Sequence, residues 1–179
     1  LYHQASRKAG LMRFNLMCRH PRNNMTTIDY DLLNRQLAAL LDTRDWLTNS
    51  AQTSAFIQQS LEQLNWVGFY LQRQPEILTL GPFQGKPACN PIPFSKGVCG
   101  AAARSRATQR VDDVHAVADH IACDAASQSE LVVPIVQDGW LWGVLDIDSP
   151  QLARFSAQDQ AGIEALVDTF IRHTDLPRL

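Results

Sequence analysis

A chain of 179 residues, 45% apolar and 19% charged, has the composition of a globular protein and is long enough to bury one core without metal or disulfide staples. No apolar run approaches the roughly 20 residues that span a bilayer, which argues against a membrane-spanning helix. The formal charge of −2 hides an asymmetry: residues 1–28 hold Arg7, Lys8, Arg13, Arg19 and Arg22 with no acid, while the rest holds 11 basic and 18 acidic side chains. Such an acidic body lacks the clustered Lys and Arg that nucleic-acid phosphates require.

Residues 1–28 have two readings. An Arg-rich, acid-free start fits a targeting segment, but it lacks an amphipathic repeat and an apolar signal-peptide core. The other reading is an extension or mis-assigned start, since Met25-Thr26-Thr27-Ile28-Asp29 resembles a natural beginning. In both cases residues 1–28 stand outside the fold and 29–179 form a single domain.

In chain order, Leu33, Leu37, Leu40 and Leu41 recur at helical spacing behind Asp29 as cap, predicting a first amphipathic helix. A second is predicted over about 45–63, with a buried stripe of Trp46, Ala55, Phe56 and Leu64. The two pack on one face of a sheet. The aromatic and β-branched run 66–71, the turn Gln74-Pro75-Glu76 and the run 77–80 predict a β-hairpin. Between Pro87 and the Ser95-Lys96-Gly97 turn a short strand is flanked by loops, and Gly97 opens an Ala-rich helix through about Ser105. A brief strand at 108–111 precedes a long loop, 112–127, with one helical turn; loops of that length inside a domain are usually functional. The runs 131–136 and 140–147 flank Asp138-Gly139, whose two residues supply the positive φ angles of a tight hairpin, and they are expected as the central strands. Ser156 to Asp159 caps a last helix with the stripe Ile163, Leu166, Val167 and Phe170. The fold class is therefore α+β: an antiparallel sheet with helices on one face and a loop-covered ligand pocket on the other.

Four cysteines, Cys18, Cys89, Cys99 and Cys123, stand at wide spacings with no C-x-x-C pair or secretion signal. That usage points to a reducing, cytoplasmic setting where thiols are redox-active or merely buried. Cys89 lies between prolines and Cys123 in a polar loop beside Asp124, neither of them an apolar-run environment. Cys99, at a helix start, fits either a core position or an activated thiol. A zinc site from His115, His120 and Cys123 with Cys89 or Cys99 is the competing use, but no spacing matches the tight ligand pairs of structural zinc. The acids form a second group: Asp146 and Asp148 alternate on a strand end and share a face, and Glu130 begins the preceding strand of that hairpin. Carboxylates converging on a pocket repel one another unless a cation or proton sits among them, so the set suits an ammonium group and a proton donor. Solvated strand-end acids and a hard-cation site are the alternatives. Tyr70 shares the face of Trp66 by the two-residue alternation of a strand.

Five segments carry a resemblance: 65–71 (NWVGFYL), 81–86 (GPFQGK), 97–100 (GVCG), 120–127 (HIACDAAS) and 143–149 (GVLDIDS). Together, and in this order, they resemble the free methionine-R-sulfoxide reductases, a GAF-domain family, across most of an 85-residue span. The resemblance implies Cys123 as nucleophile, Cys89 as resolving thiol and Cys99 as a third redox-capable position. It also implies Glu130, Asp146 and Asp148 as binders of the substrate amine and sulfoxide oxygen, and Trp66 as the wall for the substrate methyl. The chemistry needs these groups. A thiolate attacks the sulfoxide sulfur, the oxygen must be protonated, and the enzyme sulfur is left as a sulfenic acid. A second thiol then condenses with it, and an external dithiol reopens the disulfide. No bound cofactor or metal is implied; thioredoxin, with NADPH and thioredoxin reductase behind it, is the expected reductant, and homodimer formation is left open. The substrate carboxylate is assigned to backbone N–H groups at 97–100 or 124–127. The alternative function is a small-molecule-sensing GAF domain, which would not require the cysteines and carboxylates together.

Overall fold

The computed structural model describes residues 28–117 and 125–178, so the expectations for the N-terminal segment and for Cys18, His120 and Cys123 lie outside the described residues. Asp29 accepts from the Leu32 N–H and caps α1 (Tyr30–Leu40), and Asp45 likewise caps α2 (Trp46–Ser60). The chain then forms β1 (Trp66–Gln74), β2 (Ile77–Gly85), the two-residue β3 (Ile92–Pro93), α3 (Gly97–Ser105) and β4 (Gln109–Val111). A 3-10 turn at Val114–Ala116 follows, then β5 (Ser129–Gln137), β6 (Trp140–Ser149) and α4 (Ala157–His173). All strand pairs are antiparallel, in the order β3-β2-β1-β6-β5-β4. The centre of the sheet is therefore β1 and β6, where the sequence reading expected β5 and β6. The β5–β6 hairpin closes as expected, with Asp138 at φ 52° and Gly139 at φ 75°, the left-handed pair that a two-residue turn demands.

Helices α1, α2 and α4 cover one face. Their core holds Phe69, Leu71, Leu131, Val133, Ile135, Trp142, Leu145 and Ile147 from the sheet, against Leu37, Ile57, Ile163, Leu166 and Phe170 from the helices. Three contacts lock this layer. Ser156 and Asp159 form a reciprocal capping box at the start of α4, and Tyr30 Oη donates to Asp159 Oδ1 at 2.6 Å. Arg154 completes the group 3.4 Å from Asp159.

The second helix departs from expectation. Its buried positions are Asn49, Ser50, Thr53, Ser54 and Ile57, while Trp46, Ala55, Phe56 and Leu64 are only half-buried. Small polar side chains let α2 lie close on β1 and β2; the Ser50 and Ser54 hydroxyls donate to carbonyls four residues back, while Thr53 Oγ1 and Asn49 Oδ1 are buried without a partner. Asn49 Nδ2 reaches Thr43 O, His173 O and Thr174 Oγ1, tying α2 to the end of α4. The helix also stops at Ser60 rather than 63, since Leu61 at φ −111° and ψ 135° is already extended.

The opposite face carries α3 rather than loops alone. There Trp66, Tyr70, Val132 and Val144 of the sheet pack against Val98, Cys99, Ala102 and Ala103 of the helix. Gly100 lets α3 approach, because a Cβ there would sit 2.7 Å from the carbonyl oxygens of Pro93 and Phe94.

Candidate active site

Strand register assembles the site. Asp148 of β6 pairs with Trp66 of β1 on one side and Glu130 of β5 on the other, and one step further in, Asp146 pairs with Gly68 and Val132. Two-residue alternation turns Trp66, Tyr70, Glu130, Asp146 and Asp148 to the same face, and all five line one cavity. Cys99 enters from the first turn of α3 and lines it too. Its thiol lies 3.9 Å from Glu130 Oε1, and ligating atoms of Cys99, Glu130 and Asp146 are within 4.8 Å of one another.

Glu130 and Asp146 are buried, at 5% and 6% exposure, so they are not solvated strand-end acids. Burial pushes the Glu130 carboxyl well above the carboxylate range, and the charges of Asp146 and Asp148 push it further. Burial likewise raises Asp146 to about 6, opposed by hydrogen bonds from Cys99 and Glu130. The Cys99 thiol is raised by burial first and by the Asp146 and Glu130 charges next. Two consequences follow: a protonated carboxyl is held in the cavity near neutral pH, and Cys99 stays a neutral thiol. Such a thiol is a hydrogen-bond donor and a poor nucleophile. Asp146 Oδ1 is buried without a hydrogen-bond partner, which leaves an acceptor for a cationic or protonated group entering the cavity. A thiolate and two carboxylates are also a donor set able to hold a divalent cation. Of the histidines weighed for zinc, His115 lies in the 3-10 turn and is not in that cluster.

Trp66, expected as either core or wall, is both: 4% exposed and cavity-lining. Its indole stacks on Phe83 at 5.4 Å and on Tyr70 at 5.7 Å between ring centroids. That flat pose depends on Gly68, where a Cβ would stand 2.4 Å from both the indole and Phe83. Sequence reasoning missed Gly68, although its place two residues after Trp66 on the same strand face was the available signal. It also missed Ile92 and Lys86, which line the cavity together with Ser127 of the turn 124–127 weighed for the carboxylate. Ser127 accepts from Asn65 Nδ2 at 2.9 Å. At the helix start, Gly97 and Val98 line the cavity, and no side chain caps α3.

Cys89 is half-buried and disulfide-bonded, with its partner outside the described residues. It follows the cavity-lining Ala88, and its carbonyl accepts the Tyr70 hydroxyl at 3.0 Å. Cys99 is a free thiol. The site thus joins an acid-lined pocket, an aromatic wall and a cysteine in a disulfide at the rim.

A sheet covered by helices on one face and hollowed into a small-molecule pocket on the other is the architecture of a GAF domain, and a family model described as GAF domain matches residues 48–170. The chain is 48% identical over 139 residues to the free methionine-R-sulfoxide reductase of Escherichia coli, covering 77% of this chain and 84% of that protein. The fRMsr of Staphylococcus aureus in its reduced form superposes with a TM-score of 0.79 at 46% identity, over 84% of this chain and 98% of that one. The free methionine-R-sulfoxide reductase of Neisseria meningitidis, solved with its substrate, superposes with a TM-score of 0.77 at 41% identity, over 80% and 87%. The chain belongs to the free methionine-R-sulfoxide reductases, a family of oxidoreductases built on the GAF domain. Among the described residues no helix is long and apolar enough to cross a membrane.

Proposed function

We propose that this chain reduces free L-methionine-(R)-S-oxide to L-methionine, with Cys123 as nucleophile and Cys89 as resolving thiol. The observation that carries the reading is a disulfide-bonded Cys89 at the rim of a pocket floored by buried Glu130 and Asp146. The substrate ammonium has a place among Asp146, Asp148 and the unpartnered Asp146 Oδ1, and its methyl against Trp66, whose ring supplies a broad apolar surface. Tyr70 borders the same wall. Glu130, kept protonated by burial, is the proton donor for the sulfoxide oxygen.

The Cys123 thiolate attacks the sulfoxide sulfur and an S–S bond forms as the oxygen takes the Glu130 proton; the oxygen then passes to the Cys123 sulfur, the S–S bond and the substrate S–O bond break, and methionine leaves with Cys123 as a sulfenic acid. The Cys89 thiol then attacks that sulfur. An S–S bond forms, the S–O bond breaks, and the oxygen departs as water with the Cys89 proton. Thioredoxin returns the two electrons by exchange, drawing on NADPH through thioredoxin reductase, and no bound cofactor takes part. Cys99, held as a neutral thiol, donates to Glu130 and keeps that carboxyl oriented.

The test is loss of free methionine-R-sulfoxide with dithiothreitol, followed chromatographically. The unmutated protein should turn over, and Cys123→Ser should fall below about a thousandth of that rate, as removal of a nucleophile does. Proteolysis of the oxidised protein and mass spectrometry should yield a Cys89–Cys123 bridge. Saturable binding of the sulfoxide with no methionine released would instead favour a sensing domain, and a dominant Cys99–Cys123 bridge would reassign the resolving thiol.

A further inference from the structure

The segment 86–91 joins β2 to β3 as a surface strap that carries Cys89, with Lys86, Pro87, Asn90 and Pro91 exposed and Cys89 itself half-buried. Pro87 and Pro91 lack an N–H, so the strap is poor in donors of its own and cannot build a ladder against a neighbouring strand. Three groups from the sheet pin it instead. Trp66 Nε1 donates to Lys86 O at 3.1 Å, Tyr70 Oη donates to Cys89 O at 3.0 Å, and the Leu80 N–H donates to Asn90 Oδ1 at 2.9 Å. The first two pins are the polar ends of the aromatic rings whose faces line the pocket. The Trp66 and Tyr70 pins are part-buried, with donors 4% and 2% exposed, whereas Leu80 N–H to Asn90 is an exposed contact; of the two protected pins, only that of Tyr70 acts on Cys89 itself. Burial, together with the nearby acids, pushes the Tyr70 phenol up, so it remains a donor throughout the working pH range.

We propose that the Tyr70 hydroxyl, seconded by Asn90, is a positioning device for Cys89: it holds the strap where the Cys89 sulfur meets its partner sulfur, and so governs disulfide formation rather than sulfoxide reduction. The proposal rests on the assignment of Cys89 as resolving thiol. In the step concerned, the Cys89 thiol attacks the sulfenic sulfur, the S–S bond forms as the S–O bond breaks, and water carries away the oxygen and the thiol proton. A strap that loses a pin samples more positions and presents the sulfur less often, a loss of orientation felt in this step alone.

Two measurements test it. Reduced protein is mixed with one equivalent of free methionine-R-sulfoxide and quenched at intervals for methionine and for thiol count. In Tyr70→Phe, which keeps the ring stack on Trp66, loss of the second thiol should slow about tenfold more than methionine release, and the sulfenic acid should become trappable by dimedone. In Asn90→Ala the same separation should be about threefold. Equal slowing of the two steps, or no separation in either variant, overturns the proposal and leaves Tyr70 as a pocket wall. The second measurement needs no turnover. Hydrogen peroxide oxidises the Cys123 thiol to the sulfenic acid and is itself reduced to water, and closure of the Cys89 disulfide from that state should be about tenfold slower in Tyr70→Phe than in the parent. Closure at the parental rate overturns the pin even where the unmutated protein shows no reductase activity, while absent activity with slowed closure sinks the functional reading and keeps the pin.

Discussion

The same three strands build two unlike faces. Beneath α1, α2 and α4, β1, β5 and β6 present Phe69, Leu71, Leu131, Val133, Trp142, Leu145 and Ile147, an apolar surface that stabilises the fold. On the other face they present Trp66, Tyr70, Glu130, Asp146 and Asp148, two of them buried acids crowded against a buried thiol. The first face contributes stability by removing carbon from water; the second costs stability, since buried like charges repel and must hold protons to coexist. A pleated strand allows this division of labour because a change on one face leaves the other facing its own neighbours.

Breaking the comparison on the helix face should have the largest effect. Trp142 is fully buried, packs edge-on against Trp46 at 5.9 Å and has no hydrogen bond to lose, so Trp142→Ala should cost about 3–5 kcal/mol in denaturant unfolding. At temperatures where that variant stays folded, its specific activity should be near that of the parent. The pocket face should respond in the opposite sense. Glu130→Gln keeps the shape but not the dissociable proton, so methionine formation should fall about a hundredfold, while the melting temperature holds or rises. A variant that lost stability and activity together would argue against the separation of the two faces.

The smallest effect sharpens the contrast through pH. Asp146 is held at about 6, above its ordinary 3.8, so the native state binds its proton more tightly than the unfolded chain does. Its contribution to stability is complete below about pH 4 and is lost as pH rises through about 6. Asp159, in the helix layer, has the opposite sign. Burial alone would raise it, but hydrogen bonds from Tyr30 and Ser156 and the Arg154 charge hold it below its ordinary value. Its contribution is present above about pH 4 and is lost as pH falls through its folded value. Denaturant unfolding across about pH 3–7 should therefore show Asp146→Asn gaining on the parent toward neutral pH, and the deficit of Asp159→Asn shrinking toward acid. Curves parallel to the parent would refute the assignment of these protons.

The chain's local grammar carried much of this. The Asp138-Gly139 turn, the Asp29 and Ser156 caps and the stripe of α4 are decided by residues within one turn of each other, and they stand where the sequence alone put them. The sharing of a face by Asp146, Asp148 and Glu130 was legible for the same reason: period two within a strand and a tight hairpin between strands fix it. Contacts between distant segments were not legible. Which side of α2 packs depended on how closely β1 and β2 could be approached, and the sheet selected Asn49, Ser50, Thr53 and Ser54 over the larger apolar residues. The burial that turns strand-end acids into a proton-sharing site required α3 to bring Cys99 within 3.9 Å of Glu130. The strap's dependence on Tyr70 joins residues 19 positions apart through a side-chain hydroxyl. Periodicity states which way a side chain points; the charge it keeps and the partner it meets depend on the dielectric and the neighbours that only the packed sheet and helices supply.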